Sequence, residues 1–142
     1  MKPKTRRNAR QFALQAIYQW QHTANSANEI ITYLQESDDF KDVEVEYFKE
    51  LVYGVLNHVQ ELDKQFEKYL DRKITELNPV ELAVLRLATY ELIYRIDVPY
   101  KVVINEALEL TKIYGSVEGF KYVNGVLDKI AKEIRKIEIK GA

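Results

Sequence analysis

The feature that most constrains the fold of this chain is an almost continuously apolar stretch between residues 78 and 96. Asn78 can accept a hydrogen bond at a helix N-cap, Pro79 suits the first helical position, and Glu81 is placed to reach back to the Asn78 backbone. Apolar residues then follow on almost every side of the helix, which is typical of a helix in the middle of a domain. We therefore predict a central helix against which the other helices pack.

Composition favours a helical protein. The chain has 142 residues with only five Gly and three Pro, and its 46% hydrophobic and 30% charged residues are ordinary for a globular protein. Its length suits one domain, or two small sub-bundles that share a core. We predict an all-α fold of about seven helices in a single domain, with sub-bundles near residues 1–76 and 77–142.

The net charge of −1 conceals an uneven distribution. Residues 1–28 contain basic residues and no acid, residues 29–50 are strongly acidic, and residues 120–142 are again basic. Basic residues gathered at both ends of a nearly neutral chain indicate an anionic partner.

Several classes of chemistry lack their sequence signals. Without cysteine the chain has no disulfide, thiolate metal site or cysteine nucleophile, which fits a reducing compartment. No apolar run approaches the ~18–20 residues of a membrane span. The chain contains no glycine-rich phosphate loop and no HExxH motif. We expect a cytoplasmic protein that is not an enzyme and needs no metal or cofactor, although the acid-free, Arg-rich start also resembles a mitochondrial targeting segment.

The first predicted helix, residues 5–23, has two distinct faces. One face is apolar and suits a core. The opposite face carries Arg7, Gln11, Leu14 and Tyr18 at spacings of four, three and four. This line is either a solvated face with two incidental apolar residues or a stripe that meets a partner, and both interpretations stay open.

The last predicted helix has an apolar arc from Phe120 to Ile137. Its far side carries Lys121, Gly125 and Lys129, with Tyr122 at the edge. A glycine inside a helix costs ~0.5–1 kcal/mol relative to alanine, so we expect something to approach the backbone closely at Gly125. A plain solvated lysine face is the alternative.

Six short segments cover essentially the whole chain in order and with matching spacing. They are RRNAR (6–10), AIYQW (16–20), VLRLA (84–88), DVPYK (97–101), INEA (104–107) and YVNGVLDK (122–129). In combination they resemble the NusB family of bacterial transcription antitermination factors. The resemblance implies an all-helical fold of two small bundles and a small RNA-binding adaptor.

The resemblance also implies partners. Family members pair with NusE, which is also a small-subunit ribosomal protein, and the pair binds single-stranded boxA RNA of ribosomal RNA leader transcripts. With other Nus factors on RNA polymerase, it keeps elongation resistant to termination. A link to ribosome maturation is also implied.

Carried over by position, the resemblance places RNA contacts on the N-terminal basic segment and at the start of the last helix. Arginine supplies planar forks for phosphates, and Tyr122, where family members often have phenylalanine, offers a stacking surface for a base. The expected RNA-binding residues are Lys2, Lys4, Arg6, Arg7, Arg10, Lys121, Tyr122 and Lys129. The expected partner-binding residues are Tyr18, Glu76 and Glu81.

Two alternatives compete with antitermination. One is a detached RNA-targeting domain related to the NusB-like segment of ribosomal RNA methyltransferases, although no pattern for a methyl-donor domain is present. The other is a protein–protein adaptor whose basic segment contacts acidic proteins without specific RNA binding. The sequence leaves open whether the free protein is a monomer or a homodimer, and whether its basic segment is ordered before binding.

Overall fold

The all-helical class predicted from the sequence is confirmed. The computed structural model describes residues 2–141, which form eight α-helices and no strand. The helices are α1 (Arg6–His22), α2 (Ala27–Gln35), α3 (Val45–Asn57), α4 (Val59–Glu67), α5 (Pro79–Tyr94), α6 (Tyr100–Tyr114), α7 (Val117–Ile134) and α8 (Lys136–Lys140), and a short 3₁₀ turn spans Ile74–Glu76. No described helix is both long enough and apolar enough to cross a membrane.

The chain divides into two compact units, Met1–His58 and Val59–Ala142. The division comes earlier than the seam that we expected near residue 76. Local packing explains the difference, because α4 contacts α5 and α7 and so belongs with the second unit. The expected organisation as one RNA-binding domain stays a prediction.

In the first unit, hydrogen bonds made by Thr5 and Asn8 hold the start of helix α1 in place. The Thr5 hydroxyl caps the helix by accepting from the Asn8 amide N–H at 3.0 Å. The Thr5 N–H donates to the Asp42 carbonyl at 2.9 Å, and the Glu44 N–H donates to the Thr5 carbonyl at 3.2 Å. The Asn8 side-chain amide also donates to the Asp42 carbonyl, at 3.0 Å. These bonds tie the first turn of α1 to the loop before α3, so the arginine-rich segment is helical from Arg6 onward.

In the second unit, α5 is the central helix that the sequence predicted. Eleven of its residues are buried, on all sides of the helix. The Asn78 side chain caps it by accepting from the Val80 N–H at 2.8 Å. The Arg86 guanidinium pairs with both carboxylate oxygens of Asp63 on α4, at 2.9 and 2.8 Å. This buried ion pair with a second helix explains why an arginine lies on an apolar face of α5.

The carboxyl end of α5 is closed by Arg135, which is only 4% exposed. Its guanidinium donates to the carbonyls of Glu91, Leu92 and Arg95 at 3.2, 2.8 and 3.0 Å. The Leu92 carbonyl lies in the last turn of the helix, where carbonyls lack an amide partner within the helix. The Glu91 and Arg95 carbonyls also accept from the backbone N–H groups of Arg95 and Val98, both at 3.0 Å.

The last predicted helix is interrupted at Arg135, which ends α7 and precedes the short α8. The expected core arc therefore stops early. Ile137, predicted to lie in the core, is 70% exposed on α8. The apolar periodicity continued past the point where the helix ends, so it placed this residue wrongly.

Candidate nucleic-acid interface

Four basic side chains gather at the start of the first unit, and we call Lys2, Lys4, Arg6 and Arg7 the N-terminal basic cluster. Lys2, Lys4 and Arg7 are exposed. The Arg6 guanidinium lies 4.3 Å from the centre of the Tyr47 ring, and its Nε is 3.5 Å from a Glu44 carboxylate oxygen. Arg6 is therefore held in place while its side chain stays 39% exposed.

The placement of this cluster opposes helix stability. The first turn of α1 contains no acid, although acids are favoured there by the partial positive charge of a helix N-terminus. Arg6 and Arg7 instead add cations to that charge. The resulting positive potential suits an approaching anion such as a phosphate.

Arg10 differs from the other predicted RNA-binding residues because it is buried. Only 5% of the residue is exposed, and its guanidinium lies 5.5 Å from the centre of the same Tyr47 ring. A side chain so enclosed has little surface to offer a phosphate. Its position indicates that Arg10 packs against Tyr47, the ring that also contacts Arg6 of the cluster.

Tyr18, expected to face a partner, is 42% exposed, and its ring packs against that of His22 with centroids 4.6 Å apart. Leu14 is 3% exposed and belongs to the core. The stripe that the sequence suggested along Arg7, Gln11, Leu14 and Tyr18 is thus interrupted by a core residue.

A second group, the Tyr122 cluster, consists of Asp71, Arg72, Lys121, Tyr122 and Lys129 in the second unit. The Arg72 guanidinium lies over the Tyr122 ring, 4.4 Å from its centre. The same guanidinium pairs with Asp71, through Nε to Oδ1 at 2.6 Å and through Nη2 to Oδ2 at 3.2 Å. The Asp71 backbone N–H donates to the Tyr122 hydroxyl at 3.4 Å.

The charges of this cluster are set by those contacts. Hydrogen bonds from Arg72 lower the pKa of the Asp71 carboxyl, and the same pairing raises the pKa of Arg72. Burial raises the pKa of the Tyr122 hydroxyl. Asp71 and Arg72 therefore form a charged pair at neutral pH beside a neutral phenol.

The lysines of the cluster lie on the exposed side of α7. Lys121 and Lys129 are exposed, as is Gly125 between them. Apart from its chain neighbours and the backbone of α7 itself, no atom of the described residues lies within 4 Å of the place where a Gly125 side chain would begin. No other element of the described chain therefore makes the close approach expected at Gly125, and the Gly125 backbone is open to an incoming molecule. Lys132, farther along the same helix, pairs with Asp128 at 3.1 Å.

The two acids expected to bind a partner occupy different environments. Glu76 is exposed at the end of the 3₁₀ turn. Glu81 is only 8% exposed. It makes no capping box with Asn78; its carboxylate lies instead against Gly119 of α7, where an added Cβ would be 2.7 Å from Oε2. Burial raises the pKa of the Glu81 carboxyl, and the Arg72 charge opposes that rise.

The sequence model of the NusB family matches residues 7–132. The chain belongs to the NusB family. This match spans both compact units and contains most of the residues described above.

Individual relatives agree with the family assignment. The chain is 54% identical over 133 residues to the transcription antitermination protein NusB of Coxiella burnetii (strain CbuK_Q154), covering 94% of this chain and 96% of that protein. It is 53% identical over 139 residues to NusB of Pseudoalteromonas atlantica, covering 98% and 99% of the two chains.

Solved structures of the family share the fold. A crystal structure described as antitermination factors NusB and NusE in complex with double-stranded RNA has a TM-score of 0.83 and 32% identity, over 90% of this chain and 96% of that chain. NusB of T. maritima has a TM-score of 0.81 and 31% identity, over 93% and 94% of the two chains.

Three residues of the candidate interface of this NusB-family protein, Asp71, Arg72 and Tyr47, were not identified from the sequence. Asp71 and Arg72 lie shortly before the boundary expected between residues 76 and 77, and nothing in their spacing links them to Tyr122. Tyr47 was hidden in the same way, since it contacts Arg6 and Arg10 from a different helix. Groups of three or more His, Asp or Glu residues that could hold a metal ion do not occur within residues 2–141.

Proposed function

We propose that this protein is an RNA-binding transcription antitermination factor. In this role it pairs with NusE and binds single-stranded boxA RNA of ribosomal RNA leader transcripts. With other Nus factors it then keeps RNA polymerase elongating through terminators. The protein acts in the cytoplasm as a binding module, without catalysis.

The observation that carries this proposal is that a chain of the NusB family has both exposed cations and a partly exposed aromatic ring. Lys2, Lys4 and Arg7 are exposed at the start of α1, and Lys121 and Lys129 flank an open stretch of α7. Sequence-specific proteins that bind single-stranded RNA combine such phosphate contacts with stacking on aromatic rings or guanidinium planes. Tyr122 and Arg72 supply both kinds of plane.

The roles of the residues follow from their positions. The N-terminal basic cluster attracts phosphates, helped by the amino end of α1. Arg10 fixes Tyr47 and, through it, Arg6. Lys121 and Lys129 contact phosphates beside Tyr122. In the first unit Tyr18 is exposed and contacts NusE directly, and in the second unit exposed Glu76 does the same. Glu81 supports the second unit's contact by packing against Gly119.

The test is a titration of fluorescently labelled RNA, with and without NusE, over a salt series. The RNAs are a single-stranded boxA sequence, a scrambled strand of the same composition, and a boxA duplex, because the solved relative was bound to double-stranded RNA. We expect boxA to bind more tightly than the scrambled strand, NusE to increase this preference, and a log–log salt slope of about −2 to −4 from roughly three to five phosphate contacts.

Two outcomes would contradict the proposal. Equal binding of boxA and scrambled strands, with NusE still bound, would favour a protein–protein adaptor. Preference for the duplex over the single strand would place recognition in the shape of an RNA helix.

The partner assignment has its own variants. Glu76→Lys should weaken binding of NusE and leave the thermal melting temperature unchanged, because Glu76 is exposed. Lys64→Glu on α4, also an exposed charge reversal, is the matched control and should leave NusE binding intact. Equal effects of the two variants on NusE binding would remove Glu76 from the interface.

A further inference from the structure

The Tyr122 cluster contains a guanidinium that is held on two sides. Its edge is fixed by the two carboxylate oxygens of Asp71, at 2.6 and 3.2 Å. One of its faces is fixed by the Tyr122 ring, 4.4 Å away. Tyr122 is positioned in turn by the N–H of Asp71. The Arg72 side chain nevertheless stays 40% exposed.

This arrangement is poor for phosphate binding. A phosphate binds arginine in the plane of the guanidinium, through two parallel N–H donors. In Arg72 the Nε–H and one Nη2–H already serve Asp71. Three N–H donors on Nη1 and Nη2 remain, but the negative charge of Asp71 offsets that of the guanidinium and weakens its attraction for a phosphate. A phosphate at this edge would meet the carboxylate.

The arrangement is good for stacking. A guanidinium is planar and weakly hydrated, and both aromatic rings and unpaired RNA bases stack on its faces. Its edge contacts with Asp71 keep the plane fixed, so little side-chain freedom is lost when a base arrives. The Tyr122 ring beneath it extends the stack.

We propose that the Arg72 guanidinium, layered on Tyr122 and oriented by Asp71, is a stacking platform for one unpaired base of the bound RNA. This inference rests on the proposed function and gives Arg72 a role distinct from that of the lysines. Tyr122 acts as the layer beneath the guanidinium on the face that Arg72 covers. Asp71 acts as a positioning residue.

Two substitutions at one site test the platform. Arg72→Lys keeps the positive charge and removes the plane, whereas Arg72→Ala removes both. We expect both variants to bind single-stranded boxA RNA about tenfold more weakly than the natural protein, since one stacked base contributes that order of affinity. We expect both to keep the natural salt slope, because no phosphate contact is lost. Lys121→Ala is the control that should lower the slope, by about 0.7 for a single strand.

A second readout reports stacking directly. The RNA carries 2-aminopurine at each purine position in turn, and its fluorescence is quenched when the base stacks. At one position the quenching on binding should be present with the natural protein and lost in both Arg72 variants. Asp71→Asn should make the salt slope steeper, because the released guanidinium can then bind a phosphate. Circular dichroism melting of each variant shows that the fold is retained.

The inference is overturned if Arg72→Lys binds RNA as the natural protein does, since charge alone would then suffice. It is also overturned if both Arg72 variants lower the salt slope as much as Lys121→Ala. Failure of the proposed function looks different. The natural protein would then bind boxA and scrambled strands equally, whatever the effect of Arg72.

Discussion

Burial separates two arginines that look equivalent in the sequence. Arg7 is exposed, whereas Arg10 is 5% exposed and lies against Tyr47. We expect Arg10→Ala to lower the free energy of unfolding by about 1–2 kcal/mol, through the lost cation–π contact and lost packing. Arg7→Ala should leave that free energy within about 0.5 kcal/mol of the natural value.

Urea unfolding and RNA titration of the same two variants check this division. RNA binding should weaken in Arg7→Ala, while the Arg10→Ala protein, measured under conditions in which it is folded, should lose less. If Arg10→Ala has unchanged stability and fails to bind RNA, Arg10 contacts the RNA directly.

The buried carboxyl of Glu81 gives stability a pH dependence of a defined sign. Because burial raises its pKa in the folded protein above the ordinary value of 4.5, the folded state binds more protons than the unfolded state just above that pH. The contribution of Glu81 to stability therefore falls as pH rises through this range and stays low above it. We expect Glu81→Gln to be more stable than the natural protein at pH 7.

Urea unfolding at intervals from about pH 4 to pH 8 measures this contribution. The advantage of the glutamine variant should be smallest at the acid end, where the natural carboxyl is protonated. Glu76→Gln, at an exposed acid, is the control and should show no such trend. An advantage that is constant over the whole range would mean that the effect comes from packing and that ionisation plays no part.

Residue types and spacing were enough to find many of the candidate site residues, but they did not show how deeply each lies. Arg7 and Arg10 belong to one basic motif, and only the packing of α3 on α1 shows that Tyr47 covers the second of them. Arg72, in contrast, was not identified as a candidate residue at all. Its contact with Tyr122 joins positions far apart in the sequence, and no local pattern records such a contact.

At the scale of the helix, the two glycines of α7 have opposite surroundings. An added Cβ at Gly119 would lie 2.7 Å from Glu81 Oε2, closer than real contacts of this kind. At Gly125, no described atom other than those of its chain neighbours and of the backbone of α7 lies within 4 Å of that position. We expect Gly119→Ala to destabilise the protein by about 1 kcal/mol, at the lower end of overpacking costs, because the end of the Glu81 side chain can shift. Gly125→Ala should stabilise it by about 0.5–1 kcal/mol, since alanine favours a helix interior.

Thermal melting of both variants, and of the double variant Gly119→Ala/Glu81→Ala, measures these effects. Removing the Glu81 carboxylate should restore part of the stability lost at Gly119. If Gly125→Ala weakens RNA binding while it raises the melting temperature, the open backbone at Gly125 serves the RNA. A destabilising effect of Gly125→Ala would contradict the open space seen around it.

The elements themselves were largely predictable. The cap at Asn78 and the all-round apolar character of residues 78–96 are local signals, and α5 begins where these signals place it. The break between α7 and α8 could not be predicted in this way. It occurs at Arg135, whose guanidinium closes the end of α5, and that requirement comes from a different part of the fold.

For the whole molecule, the uneven charge matters more than the net charge of −1. Apart from Arg72, the exposed cations of the two clusters come from the basic ends of the chain, and one cluster lies in each compact unit. Composition predicted an anionic partner for this reason. It did not separate cations available to a ligand from cations already paired, such as Lys132 with Asp128.

The salt dependence of RNA binding turns this distinction into a measurement. Each phosphate contact on a single strand adds about 0.7 to the magnitude of the log–log salt slope. The double variants Lys2→Ala/Lys4→Ala and Lys121→Ala/Lys129→Ala should therefore each lower that magnitude by up to about 1.4. Lys132→Ala removes the same charge from the same helix as Lys129, but its ammonium already has the Asp128 carboxylate as a partner at 3.1 Å.

The Lys132→Ala variant should accordingly keep the natural slope, and its affinity should change little. If Lys132→Ala lowers the slope by half as much as a double variant, each lysine counts equally wherever it lies. The RNA then responds to the overall charge of the protein and not to the two clusters. If only one double variant lowers the slope, phosphate contacts belong to that unit alone, and the residues of the other cluster must act through bases or through NusE.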